Sequence, residues 1–194
     1  MLKKVILLLL MLPVVANAQS YTETIKDWQE GYKQSLLNGT HPLKPQDTPY
    51  VKFYNPDERY HVTATFVPIT GTKPFLMENR HGDARIAVKE YGYVYINLMG
   101  GSITLTIYRF LKSGGLFIPF TDRTNYKETF PGGRYLDVDI DSIRDNRVVL
   151  DFNKAYNPHT AYEKGYPYMV PPARNSLRIK IDAGEKIFGR NPGY

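Results

Sequence analysis

The spacing of apolar side chains predicts one helix near the start of the chain, over residues 23–37. The apolar positions that recur there at intervals of three and four are Ile25, Trp28, Tyr32 and Leu36. They lie on one face of an amphipathic helix, and we expect Trp28 to anchor that face in the core. Thr24 followed three residues later by Asp27 predicts a capping box, and the Asn-Gly pair ending at Gly39 predicts the end of the helix.

After a proline-rich extended connector at residues 40–49, the hydrophobic period changes to two, which is typical of strands. The predicted strands are 50–54, 60–67, 75–77, 84–89, 91–98, 103–110, 116–120, 135–140, 148–152 and 177–181. Gly92 predicts a bulge and Gly100-Gly101 a hairpin turn. The pattern predicts a mainly β fold: an antiparallel sheet closed as a barrel or sandwich, with one N-terminal helix packed on it. Residues 19–49 would supply the helix and connector, and residues 50–194 the β-rich domain.

The pattern of residues 1–18 is typical of a secretory signal peptide. Two lysines precede an apolar run from Val5 to Val15, and the small residues ending at Ala18 suit cleavage there. The run is too short to span a membrane. Gln19 stands where a lipoprotein would need a cysteine. We therefore expect a periplasmic or secreted protein that is not a lipoprotein and has no transmembrane segment in its mature chain.

Composition narrows the classes of chemistry. The 194-residue chain has no cysteine, which excludes thiolate catalysis, iron–sulfur clusters and cysteine-ligated zinc. Its formal net charge is +6, and the basic residues are dispersed rather than clustered. A nucleic-acid partner is therefore not expected. No cofactor is predicted, and the sequence leaves the oligomeric state open.

Several motifs in the second half of the chain are distinctive. They are Pro-Phe-Thr-Asp-Arg-Thr-Asn at 119–125, Gly-Arg-Tyr-Leu at 133–136, Val-Leu-Asp-Phe-Asn-Lys-Ala-Tyr-Asn-Pro at 149–158, Pro-Pro at 171–172, Asn175, and Ala-Gly-Glu at 183–185. On these residues the chain resembles the DUF1684 family of uncharacterised bacterial and archaeal proteins. The resemblance is strong over residues 119–186. It is weaker in the N-terminal part of the chain, where Trp28 and Tyr60 are among the residues that match. The resemblance implies a β-rich domain and brings no established activity, cofactor or catalytic residue.

The chain departs from the family pattern at four positions. At two positions where the family usually has cysteine, this chain has Thr160 and Tyr168. The resemblance implies that such a pair normally interacts, as a disulfide or as shared ligands, and this chain has lost both members. A usual glycine is replaced by Tyr126, and a usual glutamate by Arg174.

The motif segments also contain the candidate site residues. These are Asp122, Arg134, Asp137, Asp151, Asn153, Tyr156, Asn157, His159 and Asn175. A hairpin of the strands 134–140 and 148–152 around the turn at 144–147 would bring Asp137 and Asp151 together, with Arg134 beside them. One interpretation is a polar pocket for a small ligand or sugar. The other is a structural network that holds the long loop 153–175 on the sheet.

The remaining polar candidates give weaker signals. Asp137, Asp139 and Asp141 alternate along a predicted strand, which favours a solvated face over a calcium site. The four histidines lack the spacing of zinc ligands, so no metal site is predicted. His159 follows an Asn-Pro pair and is either a general base or an exposed loop residue. Four tyrosines crowd the long loop: Tyr156, Tyr162, Tyr166 and Tyr168. Their rings are suited to binding sugars or peptides, but packing across strands is the favoured interpretation.

Three functions stay open from the sequence. The favoured one is non-catalytic binding of a small molecule or glycan in a cleft roofed by residues 153–175. The second is a hydrolase that uses Asp122 or Asp151 as acid or base, with Arg134 stabilising negative charge. The third is a structural envelope protein. An enzyme should place two of its acidic or histidine candidates at one open cavity, a binder should have a tyrosine-lined cleft, and a structural role should bury and pair the carboxylates.

Overall fold

A computed structural model describes residues 19–38, 43–80 and 86–189. The predicted signal peptide, the predicted helix stop at Gly39, and the histidines His41 and His81 lie outside the described residues. The helix is α1 (Tyr21–Ser35), and the strands are β1 (His61–Pro68), β2 (Phe75–Leu76), β3 (Asn79–Arg80), β4 (Ala87–Leu98), β5 (Gly101–Phe110), β6 (Leu116–Phe120), β7 (Arg134–Val138), β8 (Arg147–Asp151) and β9 (Tyr168–Met169). In this part of the chain, no helix combines the length and the apolar character that crossing a membrane requires.

Helix α1 begins earlier than the sequence predicted. Ser20 is its N-cap, because the Ser20 hydroxyl accepts from the Glu23 N–H (3.2 Å) and the Glu23 carboxylate accepts from the Ser20 N–H (2.9 Å). The predicted Thr24–Asp27 capping box is therefore wrong. Ile25 is buried as expected, but Trp28 is only partly buried, so the prediction that Trp28 anchors the core is also wrong.

One antiparallel sheet dominates the described chain. Its strand order is β7-β6-β5-β4-β1-β8, with β2 paired to β4, while β3 and β9 form a separate pair. The sheet curls into a half-barrel, and one core cluster includes side chains from both of its end strands, Leu136 on β7 and Leu150 on β8. The predicted mainly β, antiparallel fold with one packed N-terminal helix is confirmed.

The β4–β5 hairpin was predicted with a small shift. Leu98 is opposite Gly101, so the turn is made by Met99 and Gly100, which both have positive φ (51° and 77°). The predicted Gly100-Gly101 turn is thus one residue out of place. The bulge lies at Gly92 as predicted, and a Cβ there would collide with the ring of Phe66. The strands predicted on either side of the bulge are one continuous strand, β4.

The predicted hairpin of β7 and β8 does not exist. These strands occupy opposite ends of the sheet: β7 pairs with β6, and β8 pairs with β1, where Asp151 is opposite His61. The tight turn expected at 144–147 is present, with positive φ at Asp145 and Asn146. It leads out of the 3₁₀ turn Ile140–Ser142 instead of out of β7.

Three further predictions need correction. The segment 50–54 is not a strand, because the 3₁₀ helix Pro45–Tyr50, which also replaces the predicted extended connector, leads directly into it. The segment 177–181 makes only irregular contacts beside the isolated bridge of Ser176 with Thr121. The loop 153–175 contains 3₁₀ turns and β9 and packs much of its length into the core, so it is not the roof of an open cleft.

Candidate functional site

Arg134 lies at the centre of a closed network. Its side chain is fully buried; Nη2 donates to Asp122 Oδ2 (2.8 Å) and to the Ile181 carbonyl (2.9 Å). Nη1 donates to the carbonyls of Ala183 and Glu185. The guanidinium therefore fixes the segment 181–185 to β7. Because neither Asp122 nor Arg134 reaches solvent, these two residues fit the structural alternative rather than a ligand pocket.

Asp151 and Asn153 belong to a different network. Asp151 Oδ1 accepts from the Tyr21 hydroxyl (2.9 Å) and from the Asn153 N–H (3.1 Å). The Asn153 side chain also bonds both backbone groups of Asp57, at 2.9 Å each. No hydrogen bond between described residues joins this network to Arg134. The predicted meeting of the Asp-Phe-Asn segment with Arg134 is not found, since β8 pairs with β1 and not with β7.

Asn157 and Asn175 hold loop segments in place. The Asn175 side chain bonds the backbone N–H and carbonyl of Thr106 (2.8 and 3.0 Å) and the Pro119 carbonyl (2.8 Å), which ties it to β5 and β6. Asn157 donates from its side chain to the Lys186 carbonyl (2.8 Å). Both asparagines are fully buried. Their hydrogen bonds fix residue 175 to the sheet and residue 157 to the segment at 186.

Glu185 is a buried acid to which the sequence assigned no role. Its carboxylate is fully buried and accepts from the Tyr162 hydroxyl and from the Asn157 N–H, each at 2.8 Å. Burial raises the pKa of Glu185 to about 7, and these hydrogen bonds limit the rise. The Tyr162 hydroxyl lies 3.3 Å from that of Tyr32, which reaches an open surface. The only sequence signal for this residue was the Ala-Gly-Glu motif.

The open part of the site lies beside α1. One recess of about 240 Å³ lies between the two end strands of the sheet, and a second of about 520 Å³ lies along the helix. Both are lined by Trp28, Asp137 and Tyr156, and we call them together the α1 groove. The other lining residues include His61, Asp139, Asp151 and Lys154 in the first recess, and Tyr32 and His159 in the second.

Aromatic rings form one wall of the α1 groove. Trp28 and Tyr32 stack, with ring centroids 5.4 Å apart, and Tyr32 lies 5.6 Å from Tyr156. The Tyr156 hydroxyl donates to Asp137 Oδ1 (2.8 Å). Loss of hydration raises the pKa of Asp137, and this hydrogen bond lowers it in part. The groove thus combines apolar ring faces with a carboxylate in a partly desolvated position.

The other acidic candidates are arranged differently from the prediction. β7 ends at Val138, so Asp139 and Asp141 do not continue the strand; Asp139 instead caps the 3₁₀ turn by accepting from the Asp141 N–H (2.9 Å). Among the described residues, no three acidic or histidine side chains come together in a way that would hold a metal ion.

The two positions at which the resemblance implies cysteine in relatives, Thr160 and Tyr168, line one recess that shares no lining residue with the α1 groove.

Comparisons with known proteins agree with the fold. A solved structure, the solution NMR structure of an uncharacterised protein from gene locus rrnAC0354 of Haloarcula marismortui, matches with a TM-score of 0.65 and 24% identity, over 89% of this chain and 99% of that one. No curated protein matches. The family model described as a protein of unknown function, DUF1684, matches residues 48–186. The chain therefore belongs to the DUF1684 family.

Proposed function

We propose that this protein is exported and binds a short glycan, or another small polyhydroxylated molecule, in the α1 groove. The observation that carries the proposal is the stacked pair of Trp28 and Tyr32 in the same groove as the Asp137 carboxylate. Sugars present apolar C–H faces that pack on aromatic rings, and hydroxyl groups that donate to carboxylates. The groove offers both kinds of contact side by side.

Unused hydrogen-bonding capacity supports the proposal. The Oδ2 atoms of Asp137 and Asp151 accept no hydrogen bond from any described residue, whereas Oδ1 of each is occupied. Lys154 lines the same recess and forms no ion pair with either aspartate among the described residues. Two acceptors and one donor therefore remain for a ligand that carries several hydroxyl groups.

The size of the groove also suits this class of ligand. Pockets that bind small molecules generally have volumes of roughly 300–1,000 Å³. The two recesses that share Trp28, Asp137 and Tyr156 have volumes of about 240 and 520 Å³. A ligand of a few sugar rings would lie along α1 and reach into the opening between β7 and β8.

The test is isothermal titration of the mature protein with short cello-, chito- and malto-oligosaccharides. We expect at least one of them to bind, and Asp137→Asn to weaken that binding about tenfold, because a hydrogen bond to a charged acceptor becomes one to a neutral amide. Trp28→Ala should weaken it further. Tyr95→Ala is the matched control, since Tyr95 is an exposed aromatic residue on β4 outside the groove.

Binding that is equal in Trp28→Ala, Tyr95→Ala and the unchanged protein would place the glycan elsewhere. Absence of binding by all three oligosaccharide series would reject the glycan class.

A second candidate function is hydrolysis of such a ligand. It is favoured by the presence of two carboxylates, Asp137 and Asp151, in one open recess, with the pKa of Asp137 raised by loss of hydration. A protonated Asp137 would act as the general acid. Release of nitrophenol from aryl glycosides by the unchanged protein, abolished in Asp137→Asn, would support catalysis. Turnover that is unchanged in this variant would assign the activity to another protein or site.

A further inference from the structure

A second open recess lies on another surface and shares no lining residue with the α1 groove. Its volume is about 440 Å³, and we call it the Arg80 recess. Its wall is made mostly of rings and apolar side chains, namely Tyr126, Phe130, Pro131, Tyr168, Val170 and Pro171. Thr121 and Thr160 add hydroxyl groups. A recess of this size holds a small organic molecule.

A glycine keeps the floor of the Arg80 recess open. Phe130 and Tyr168 meet edge to face, with ring centroids 5.6 Å apart. A Cβ at Gly132 would lie 2.5 Å from the Phe130 ring and 2.6 Å from the Tyr168 ring. Any larger residue at this position would therefore displace the two rings that form the wall.

Tyr126 lines the recess in a strained conformation. Its φ is +70° and its side chain is 77% exposed, although a bulky residue rarely adopts this backbone region. Asn125 fixes the loop, because its Oδ1 accepts from the Asp122 N–H (2.7 Å) and its Nδ2 donates to the Phe130 carbonyl (2.8 Å). Strain of this kind concentrates at binding and catalytic sites. The loop presents an aromatic ring to solvent at the cost of backbone strain.

Arg80 gives the recess a positive charge. It is exposed, forms no ion pair with any described residue, and no acidic side chain is among the lining residues. β3 places Arg80 directly opposite Tyr168 on β9, and both residues line the recess. A planar guanidinium matches the geometry of a carboxylate. The positive charge of Arg80 and the flat aromatic wall of the recess therefore both favour an anion with a flat apolar body.

We propose that the Arg80 recess is a second ligand site, which takes a small planar organic carboxylate. The flat body lies against Tyr126, Phe130 and Tyr168, and the carboxylate pairs with Arg80. This site and the α1 groove are independent, so either stands if the other fails.

The test uses 1-naphthoate as the probe and 1-naphthamide as its neutral counterpart, added to the ¹⁵N-labelled mature protein and followed by NMR. Naphthoate should shift the amide signals of 121–132 and 168–171 in a saturable way. The affinity for naphthamide should be about tenfold lower, because it lacks the charge that pairs with the guanidinium. Arg80→Gln should weaken naphthoate binding by a similar factor. Arg178→Gln, which changes another exposed arginine, should leave it unchanged.

A second variant tests the strained tyrosine. Tyr126→Gly should raise the unfolding midpoint, because glycine accepts a positive φ, and should weaken naphthoate binding, because the ring is gone. Three results would overturn the proposal: no saturable shifts, equal affinity for the acid and the amide, or equal affinity of Arg80→Gln and Arg178→Gln for naphthoate. Tyr126→Gly that binds as tightly as the unchanged protein would also contradict it.

Discussion

At the scale of single residues, the charged groups of the family motif divide by exposure. Asp122 and Arg134 neutralise one another in the interior, whereas Asp137 and Asp151 keep one carboxylate oxygen for the open groove. Glu185 has neither arrangement: it is fully buried and forms no salt bridge with any described residue. It accepts hydrogen bonds from the Tyr162 hydroxyl and the Asn157 N–H, and the charge of Arg134 stabilises it more weakly. A buried carboxylate without a salt bridge is sensitive to pH.

Glu185 should make stability fall as pH rises towards neutrality. Its pKa in the folded protein is about 7, against 4.5 when exposed, so the folded state holds the proton more tightly. This contribution is complete below pH 4.5 and is lost as pH rises through 7. The shift corresponds to at most about 3 kcal/mol of unfolding free energy. Glu185→Gln should remove this slope.

The measurement is urea unfolding of both proteins across this pH range. The two proteins differ only at position 185, so contributions from all other groups cancel in the difference between them. Parallel curves for the two proteins would show that Glu185 does not change its protonation in this range.

At the scale of elements, α1 is attached to the end of the sheet by side chains rather than by backbone pairing. The Tyr21 hydroxyl donates to Asp151 (2.9 Å) and accepts from the Asn153 amide (2.8 Å), so the first turn of α1 is fixed to the end of β8. Because Trp28 lies about two turns further along and lines the groove, this attachment also sets one wall of the candidate site.

Tyr21→Phe should loosen α1 without unfolding the sheet. Loss of the hydroxyl removes two hydrogen bonds, which together contribute about 1–3 kcal/mol. Hydrogen exchange should show faster exchange at α1 amides and unchanged exchange at β4 and β5. Tyr95→Phe, on the exposed face of β4, is the control. Equal protection of α1 in both variants would mean that apolar packing alone holds the helix.

The sequence predicted elements better than their partners. Alternating residues identified β1 and β5 to within two residues, and a continuous apolar run identified β6, which is buried on both faces. The predicted β7–β8 pairing was wrong, because the two strands lie at opposite ends of a sheet that curls around one core without joining its ends. Residues 177–181 alternate like a strand, yet they form no regular ladder: Leu177 and Ile179 bond the backbone of the Thr121–Arg123 segment, and the Ile181 carbonyl accepts from Arg134. No periodic pattern marks a lone buried acid such as Glu185.

At the scale of the whole molecule, the Arg134 network connects segments that are distant in sequence. It joins β7 to the Asp122 loop and to the carbonyls of Ile181, Ala183 and Glu185. Much of the distinctive sequence of the family therefore serves the fold. The proposed functions therefore rest on residues outside this network, in the α1 groove and the Arg80 recess.

Arg134→Met should destabilise the whole domain. Methionine fills a similar volume, but it leaves the Asp122 carboxylate buried without its partner, which typically costs about 3–5 kcal/mol. The double variant Asp122→Asn, Arg134→Met should recover part of that loss. Urea unfolding measures both. A loss below about 1 kcal/mol in the single variant would show that water reaches Asp122 and replaces the guanidinium.

The half-barrel leaves its two outermost strands, β7 and β8, each with a single neighbour. Both are five residues long. Alternate residues of an antiparallel strand direct their backbone groups to the same side, so each outer edge has only about two or three N–H and carbonyl pairs. On β7 one of these pairs, that of Tyr135, is already bonded to the backbone of Tyr156 (2.9 Å for each bond). An exposed edge strand can pair with a strand of another molecule and so promote aggregation, and a short edge strand reduces this risk. The sheet thus stays open on one side, yet its edges offer too few free backbone groups for a strand of another molecule to pair with.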